Sequence, residues 1–366
     1  MKIESLSNFE RVDRNAEVMD TPYDRWVESQ GVDMIRGYFV EDLKEVPTKW
    51  WERKGGHGVY INLDGAGYQD DAFVIGIPPG KSLNPEKHLY EELVYVLTGQ
   101  GATTFWHENG KKQSFEWEKG SLFAIPVNTT YQHFNGQGDQ ESRLLGVTNA
   151  PLVYNIFHNE DFVMNNPYVF KDRIDEDQDF GGRARLYNDR VLETNFIPDV
   201  GNIEPIAWEE RGKGSKTVFF ELVASHMGAH VSEFPVGRYK KAHRHGPGAH
   251  VMILSGEGYS LMWPEGQAKQ RFDWKPGSIV VPPEGWFHQH FNSGATPARY
   301  LALKMLSRMY KLAPGKIQSD VPLNQGGWQI EHDQEDEDVI DLFVEACGRS
   351  GAKVDMAHII EKQGLA

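Results

Sequence analysis

The chain reads as an all-β protein of two tandem barrels, with a short polar arm before them and helices after them. Three observations predict this. Short runs rich in β-branched and aromatic residues follow one another, separated by Gly, Pro, Asn and Asp, as in a sandwich or barrel. The stretch from Gly80 to Asn135 recurs at a constant offset of 157, without insertion or deletion. A repeat of that length is a duplicated domain, because solenoid units repeat every 20–50 residues or so. Beyond about residue 335 the apolar spacing becomes helical.

The elements follow in order. Residues 1–50 form a polar arm with a short helix near Pro22 to Ser29, its proline in the first turn. Residues 51–160 form barrel 1, with strands at 59–63, 72–77, 93–97 and 102–106. Residues 161–205 are charged and rich in Gly, Asp and Asn, a linker in which Phe162, Val163, Phe170 and Phe196 need cover. Residues 206–312 form barrel 2, with strands at 229–234, 251–254, 259–263 and 278–281. In the tail, 313–366, Val339, Ile340, Phe343 and Ala346 mark one helix face, and Arg349 and Gly351 close it. A second short helix is expected around 354–361, and both helices should pack outside barrel 2 or across a subunit contact.

Bulk properties exclude several classes. At 366 residues the chain buries a sizeable core. A net charge of −15 with no long Lys/Arg run argues against nucleic acid, whose binding rests on neutralising phosphates. No apolar run reaches about 18 residues, so no membrane partner is expected. Cys347 is the one cysteine, and the first residues lack an apolar signal-peptide core, so a reducing, cytoplasmic setting is expected. The aromatic content and charged linker suggest a homo-oligomer.

The repeat is unequal where chemistry is concerned. Gly80, Gly99, Gly101, Trp106, Trp117, Gly120 and Pro126 match Gly237, Gly256, Gly258, Trp263, Trp274, Gly277 and Pro283. The second copy carries His243, His245 and His288 where the first has Glu86, His88 and Tyr131. His243 and His245, two apart on a strand, share a face, and so do His288 and His290. Convergent neutral imidazoles on a rigid barrel suit a divalent metal. The glycine pairs read as turn glycines and the paired tryptophans as core. Trp286 and Phe287, without aromatic counterparts in copy one, are expected at the pocket rim beside His288. Arg238, Tyr239 and Lys240 read as a solvated strand entrance more readily than as an anion site. His250 should face away from the metal.

The spacing Gly237-x5-His243-x-His245, Gly256, then Gly277-x5-Pro283-x-Gly285-x2-His288-x3-Asn292 resembles the two motifs of the cupin superfamily. Seen twice, it resembles a bicupin, which implies tandem jelly-roll barrels. By that resemblance His243, His245 and His288 are the metal ligands. The glutamate that family members usually add falls at Ala249, leaving three histidines and no carboxylate. The run from His243 to Ala249 is similar to gentisate- and hydroxynaphthoate-cleaving dioxygenases, although their metal usually sits in the N-terminal barrel. The resemblance implies an Fe(II)-dependent dioxygenase acting on a small anionic, hydroxylated aromatic substrate. His290 is then the candidate general acid/base. Zn, Ni or Mn supporting an isomerase, hydratase or lyase is the alternative, as is a non-catalytic small-molecule binder. Oxalate-decarboxylase-like chemistry is less favoured because of Ala249. In barrel 1, Glu86, His88, Glu92 and His133 form either a weaker metal site or, the preferred reading, a retired one.

Overall fold

The computed structural model describes residues 20–66, 68–107, 110–171, 173, 180–181, 183–209, 213–246, 248–305, 307–310 and 318–365. Residues 1–19 of the N-terminal arm, the centre of the linker and the start of the tail lie outside these, as does Pro247, between His245 and Ala249.

Each barrel is a large sheet facing a small one. In barrel 1 the large sheet runs in spatial order 34–35, 56–61, 71–77, 142–148, 92–98, 122–125, 196–197, with 49–51 beside 56–61. The small sheet is 130–135, 100–106, 113–118. In barrel 2 the large sheet runs 184–187, 191–194, 216–221, 228–234, 298–304, 250–255, 279–280, 39–40, and the small one 238–239, 287–292, 258–263, 270–274. The fold class is as the sequence predicts. The strands do not alternate cleanly in the large sheets because both faces are covered; Asp71–Ile77 is buried throughout.

The repeat extends into the segments read as arm and linker, and there the two barrels exchange partners. Phe39 and Val40 pair with Val280 and Ile279 of barrel 2. Phe196 and Ile197, at the same offset of 157, pair with Phe123 and Leu122 of barrel 1. The Leu43 amide donates to the Gly277 carbonyl, as the Val200 amide does to that of Gly120. Ser278 Oγ donates to the Glu41 carbonyl and Ser121 Oγ to that of Pro198. Arm and linker are thus two equivalent edge strands, each closing the other barrel's sheet.

Among the described residues, five α-helices flank the barrels. α1 (Pro22–Ser29) begins with a capping box, in which Thr21 and Asp24 satisfy each other's backbone N–H. α2 (Ala150–Phe157) ends the segment expected as barrel 1 and α3 (Glu160–Asn165) opens the expected linker; there Val163 is buried, as its apolar character required, while Phe162 remains exposed. α4 (Glu337–Ser350) buries Val339, Ile340, Phe343, Ala346 and Cys347 against Tyr239, Tyr259, Leu261, Phe287 and Phe291 on the outside of barrel 2. It ends at Gly351 with φ +74°, and α5 (Ala357–Gln363) follows. No helix among the described residues is long and apolar enough to cross a membrane.

Two glycine pairs show why the copies share a backbone. Gly99 and Gly256 turn with φ +89° and +81°. A Cβ on Gly101 or Gly258 would lie 2.0 or 1.9 Å from the carbonyl of Phe134 or Phe291, against the ring of Trp117 or Trp274.

Candidate metal centre

His243 and His288 exchange both backbone hydrogen bonds, at 3.1 and 2.9 Å. Directly opposed residues of an antiparallel pair stand on one face, and His245 returns to it two residues on. The three rings lie 4.3, 4.8 and 5.6 Å apart. Each Nδ1 lies near a backbone carbonyl: Lys241 at 3.3 Å, Gly246 at 3.0 Å and Trp286 at 3.4 Å. A carbonyl that takes the Nδ1 proton fixes the tautomer that offers Nε2 to a metal. One ring nitrogen from each histidine lies within 4.8 Å of the others. These three side chains would hold a divalent ion, for which imidazole nitrogen is a suitable donor. The group contains no carboxylate, and Ala249 is buried in the wall beside it.

These histidines open onto a cavity of about 280 Å³. His290 lines it as expected. Trp274 Nε1 donates to Ser260 Oγ at 3.1 Å, and Ser260 Oγ lies 2.8 Å from His290 Nδ1. The two contacts tie the ring of His290 to the indole of Trp274 through one hydroxyl. Burial first, then His288 and Lys240, hold this imidazole well below its usual pKa and therefore neutral.

Lys240 overturns the solvated reading. It is buried in the cavity wall, donating to Ser232 Oγ at 2.9 Å and to Tyr300 OH at 3.0 Å. Its neighbours do face elsewhere: Arg238 pairs with Asp355, and Tyr239 packs under α4. Lys304 and Arg308 complete a cationic wall. Barrel 1 contributes Asp70, whose Oδ2 accepts from the Met305 amide at 3.2 Å and whose Oδ1 is buried without a hydrogen-bond partner. Burial pushes this carboxyl up to about 8. His250 is buried outside the lining, 3.8 Å from Asp70. Sequence reasoning missed Asp70, Lys304 and Arg308, because no local pattern signals a residue that becomes part of a wall only when two barrels meet.

Trp286 and Phe287 do not line the cavity. Trp286 packs on Tyr38, and Phe287 stacks on Trp263 beneath Arg244. Phe287 alternates with His288 on the strand and so faces outward.

The equivalent cup in barrel 1 has the same backbone and other contents. Glu86 and Tyr131 exchange the same two hydrogen bonds, at 2.9 and 2.8 Å. Trp117 Nε1 donates to Thr103 Oγ1 at 2.9 Å, which lies 2.7 Å from His133 Nδ1, the same relay as at His290. Yet Lys54 enters and donates to Glu86, which Arg53 also binds. His88 lies 3.2 Å from Glu92 and 3.0 Å from Tyr131 OH. Burial opposes the charge on Glu92, but the His88 contact and Lys54 hold it at about 2. Burial and then the Arg53 charge lower Lys54 to about 7. Among the described residues, Glu86, His88, Glu92 and His133 are not one of the groups whose ligand atoms gather within 4.8 Å.

The family model for auxin binding protein matches residues 34–172, which is barrel 1. No curated protein matches the chain. Among solved structures, a deletion mutant of Bacillus subtilis oxalate decarboxylase is similar at 15% identity and TM-score 0.50, over 74% of this chain and 78% of that one. A structure from work on the Mn(II) centres of Bacillus subtilis oxalate decarboxylase is similar at 15% identity and TM-score 0.50, over 78% and 80%. The exchange of edge strands, the paired barrels and these likenesses agree that the chain has the tandem jelly-roll fold of the bicupins.

Proposed function

We propose that the protein is a metal-dependent lyase acting on a small carboxylate in the barrel 2 cavity, with His243, His245 and His288 as ligands. One observation carries this reading: three histidines with converging ring nitrogens share one cavity with Lys240, Lys304 and Arg308. A neutral ligand set leaves a divalent ion its full charge, so the occupant of such a cavity is anionic. A bound ion supplies Lewis-acid polarisation and stabilises the charge that develops as the neighbouring bond breaks. Lys240, steadied by Ser232 and Tyr300, orients a carboxylate. His290 and the protonated Asp70, both in the cavity wall, are the groups able to return a proton to the product.

Mn(II) is the favoured ion, since the Mn(II)-containing Bacillus subtilis oxalate decarboxylase shares the fold. Fe(II), Zn and Ni fit the same donors. Barrel 1 is the retired copy in this reading, its metal position taken by the Lys54 ammonium. The dioxygenase is kept as a second reading because the ligand group lacks a carboxylate where Ala249 stands, an arrangement with open positions suited to Fe(II) and dioxygen.

The test reconstitutes metal-free protein separately with Mn, Fe, Zn and Ni. A panel of small dicarboxylic, hydroxy and hydroxyaromatic acids is then followed for carbon dioxide release and oxygen uptake. Product without stoichiometric oxygen uptake supports the lyase. Uptake matching turnover, with Fe(II) alone, replaces it with the dioxygenase. Binding without turnover under every metal supports a non-catalytic binder.

A further inference from the structure

A second cluster of ligand-type side chains lies on the opposite side of the strand that bears His288. His332, Glu335 and His358 each offer one atom within 4.8 Å of the others. They come from the 3-10 turn His332–Gln334, its C-terminal flank and α5. We propose that this cluster is a divalent-cation site of zinc type that fastens the C-terminal tail to barrel 2.

The argument rests on Glu335. Its side chain is 2% exposed. Gln289 Nε2 donates to Oε1 at 2.6 Å, Tyr239 OH donates to Oε2, and His332 Nδ1 lies 3.0 Å from Oε1. Among the described residues no lysine or arginine pairs with it. A buried carboxylate needs a compensating positive charge, and here amide and phenol donors orient it without supplying one. The remaining neighbours are two imidazoles, stacked 5.0 Å apart. His358 Nε2 lies 3.3 Å from Tyr239 OH.

Two imidazoles and a carboxylate held by outer hydrogen bonds are a zinc donor set, with one position left for Tyr239 or water. The surroundings draw a cation. Residues 331–338 carry Glu331, Asp333, Asp336, Glu337 and Asp338 besides Glu335. Lys241, Lys269 and Lys362 answer only Glu331, Asp336, Asp338 and Glu337. Gln289 lies between His288 and His290, so one strand serves the cavity with its inner face and this cluster with its outer face.

The test uses the full chain, stripped with chelator and titrated with zinc chloride. A His243→Ala/His288→Ala chain, with folding checked by circular dichroism, is expected to keep one zinc equivalent. Adding Glu335→Gln or His358→Gln removes it, and Gln289→Leu weakens it about 10–100-fold. Zinc should also slow proteolysis of the tail in the double variant. No retained equivalent in the folded double variant overturns the proposal, as does one that survives both Glu335→Gln and His358→Gln. Should the double variant not fold, the unmodified chain decides: two zinc equivalents support the second site and one overturns it.

Discussion

The two barrels have the same frame and opposite interiors. Both place a backbone pair at the centre of the cup, Glu86 with Tyr131 and His243 with His288. Both run the same relay from tryptophan through a hydroxyl to histidine. In both, an asparagine (Asn135 or Asn292) gathers three backbone carbonyls at the end of the cup. The difference is the source of positive charge. Barrel 1 brings its own cations, Arg53 and Lys54, to buried Glu86, and the Lys54 charge also favours the ionised form of Glu92. Barrel 2 instead brings three imidazoles together with no carboxylate in the group, a donor set that suits an external cation. The frame is therefore insensitive to what fills the cup, and a few side chains decide whether a barrel is self-neutralised or chemically open.

The sharpest way to break the comparison is metal content. His243→Ala or His288→Ala is expected to lose the cavity's metal and reduce turnover to background, whereas His88→Ala keeps the metal. Elemental analysis showing equal loss in His88→Ala would end the distinction. Next is Lys54→Met, which takes from Glu86 one of its two cations and from Glu92 the ammonium that favours its charge. Removing one partner of a buried ion pair costs about 3–5 kcal/mol, read as a shift in denaturant midpoint; a shift below about 1 kcal/mol would show that Lys54 does not neutralise barrel 1.

Glu91→Gln tests the joint between the barrels. Glu91 accepts from the amides of His226 and Met227 and pairs with Arg173. Its loss is expected to cost about 3 kcal/mol while leaving metal content unchanged. The two tryptophan relays give a smaller and more diagnostic effect. Trp117→Phe and Trp274→Phe should each cost about 1 kcal/mol for a lost buried hydrogen bond. Only Trp274→Phe should also lower kcat, through His290.

The pH dependence of unfolding separates the carboxyl groups by sign. Burial opposes ionisation of Glu91, but the His226 hydrogen bond and Arg173 hold it at about 2, and Glu92 sits at about 2 as well. Their folded values lie below the unfolded one, so their contribution is complete above about pH 4.5 and is lost as pH falls towards 2. Burial raises Asp70 to about 8. Its contribution is present below its unfolded value, about pH 4, and is lost as pH rises through 8. Asp70→Asn should flatten the alkaline limb and leave the acid limb in place.

Much of the fold was legible because its signals are local. Period-2 runs, turn glycines and the constant offset marked the strands, and Arg349 and Gly351 marked the end of α4. The convergence of His243, His245 and His288 was legible because i, i+2 spacing on a strand fixes a shared face. Trp286 and Phe287 were misplaced for the same local reason: lack of a counterpart in the first copy says nothing about which way a side chain points.

By itself, the sequence determined two homologous β-barrels, an outer helix at the end and three histidines on one face, since period, turn chemistry and spacing act within a few residues. Only the tertiary structure decided that the arm and linker trade barrels, that Lys54 fills one cup, and that Lys240 and Asp70 line the other. Those outcomes depend on burial and charge compensation between segments far apart in the chain, and such contacts exist only once the barrels have closed against each other.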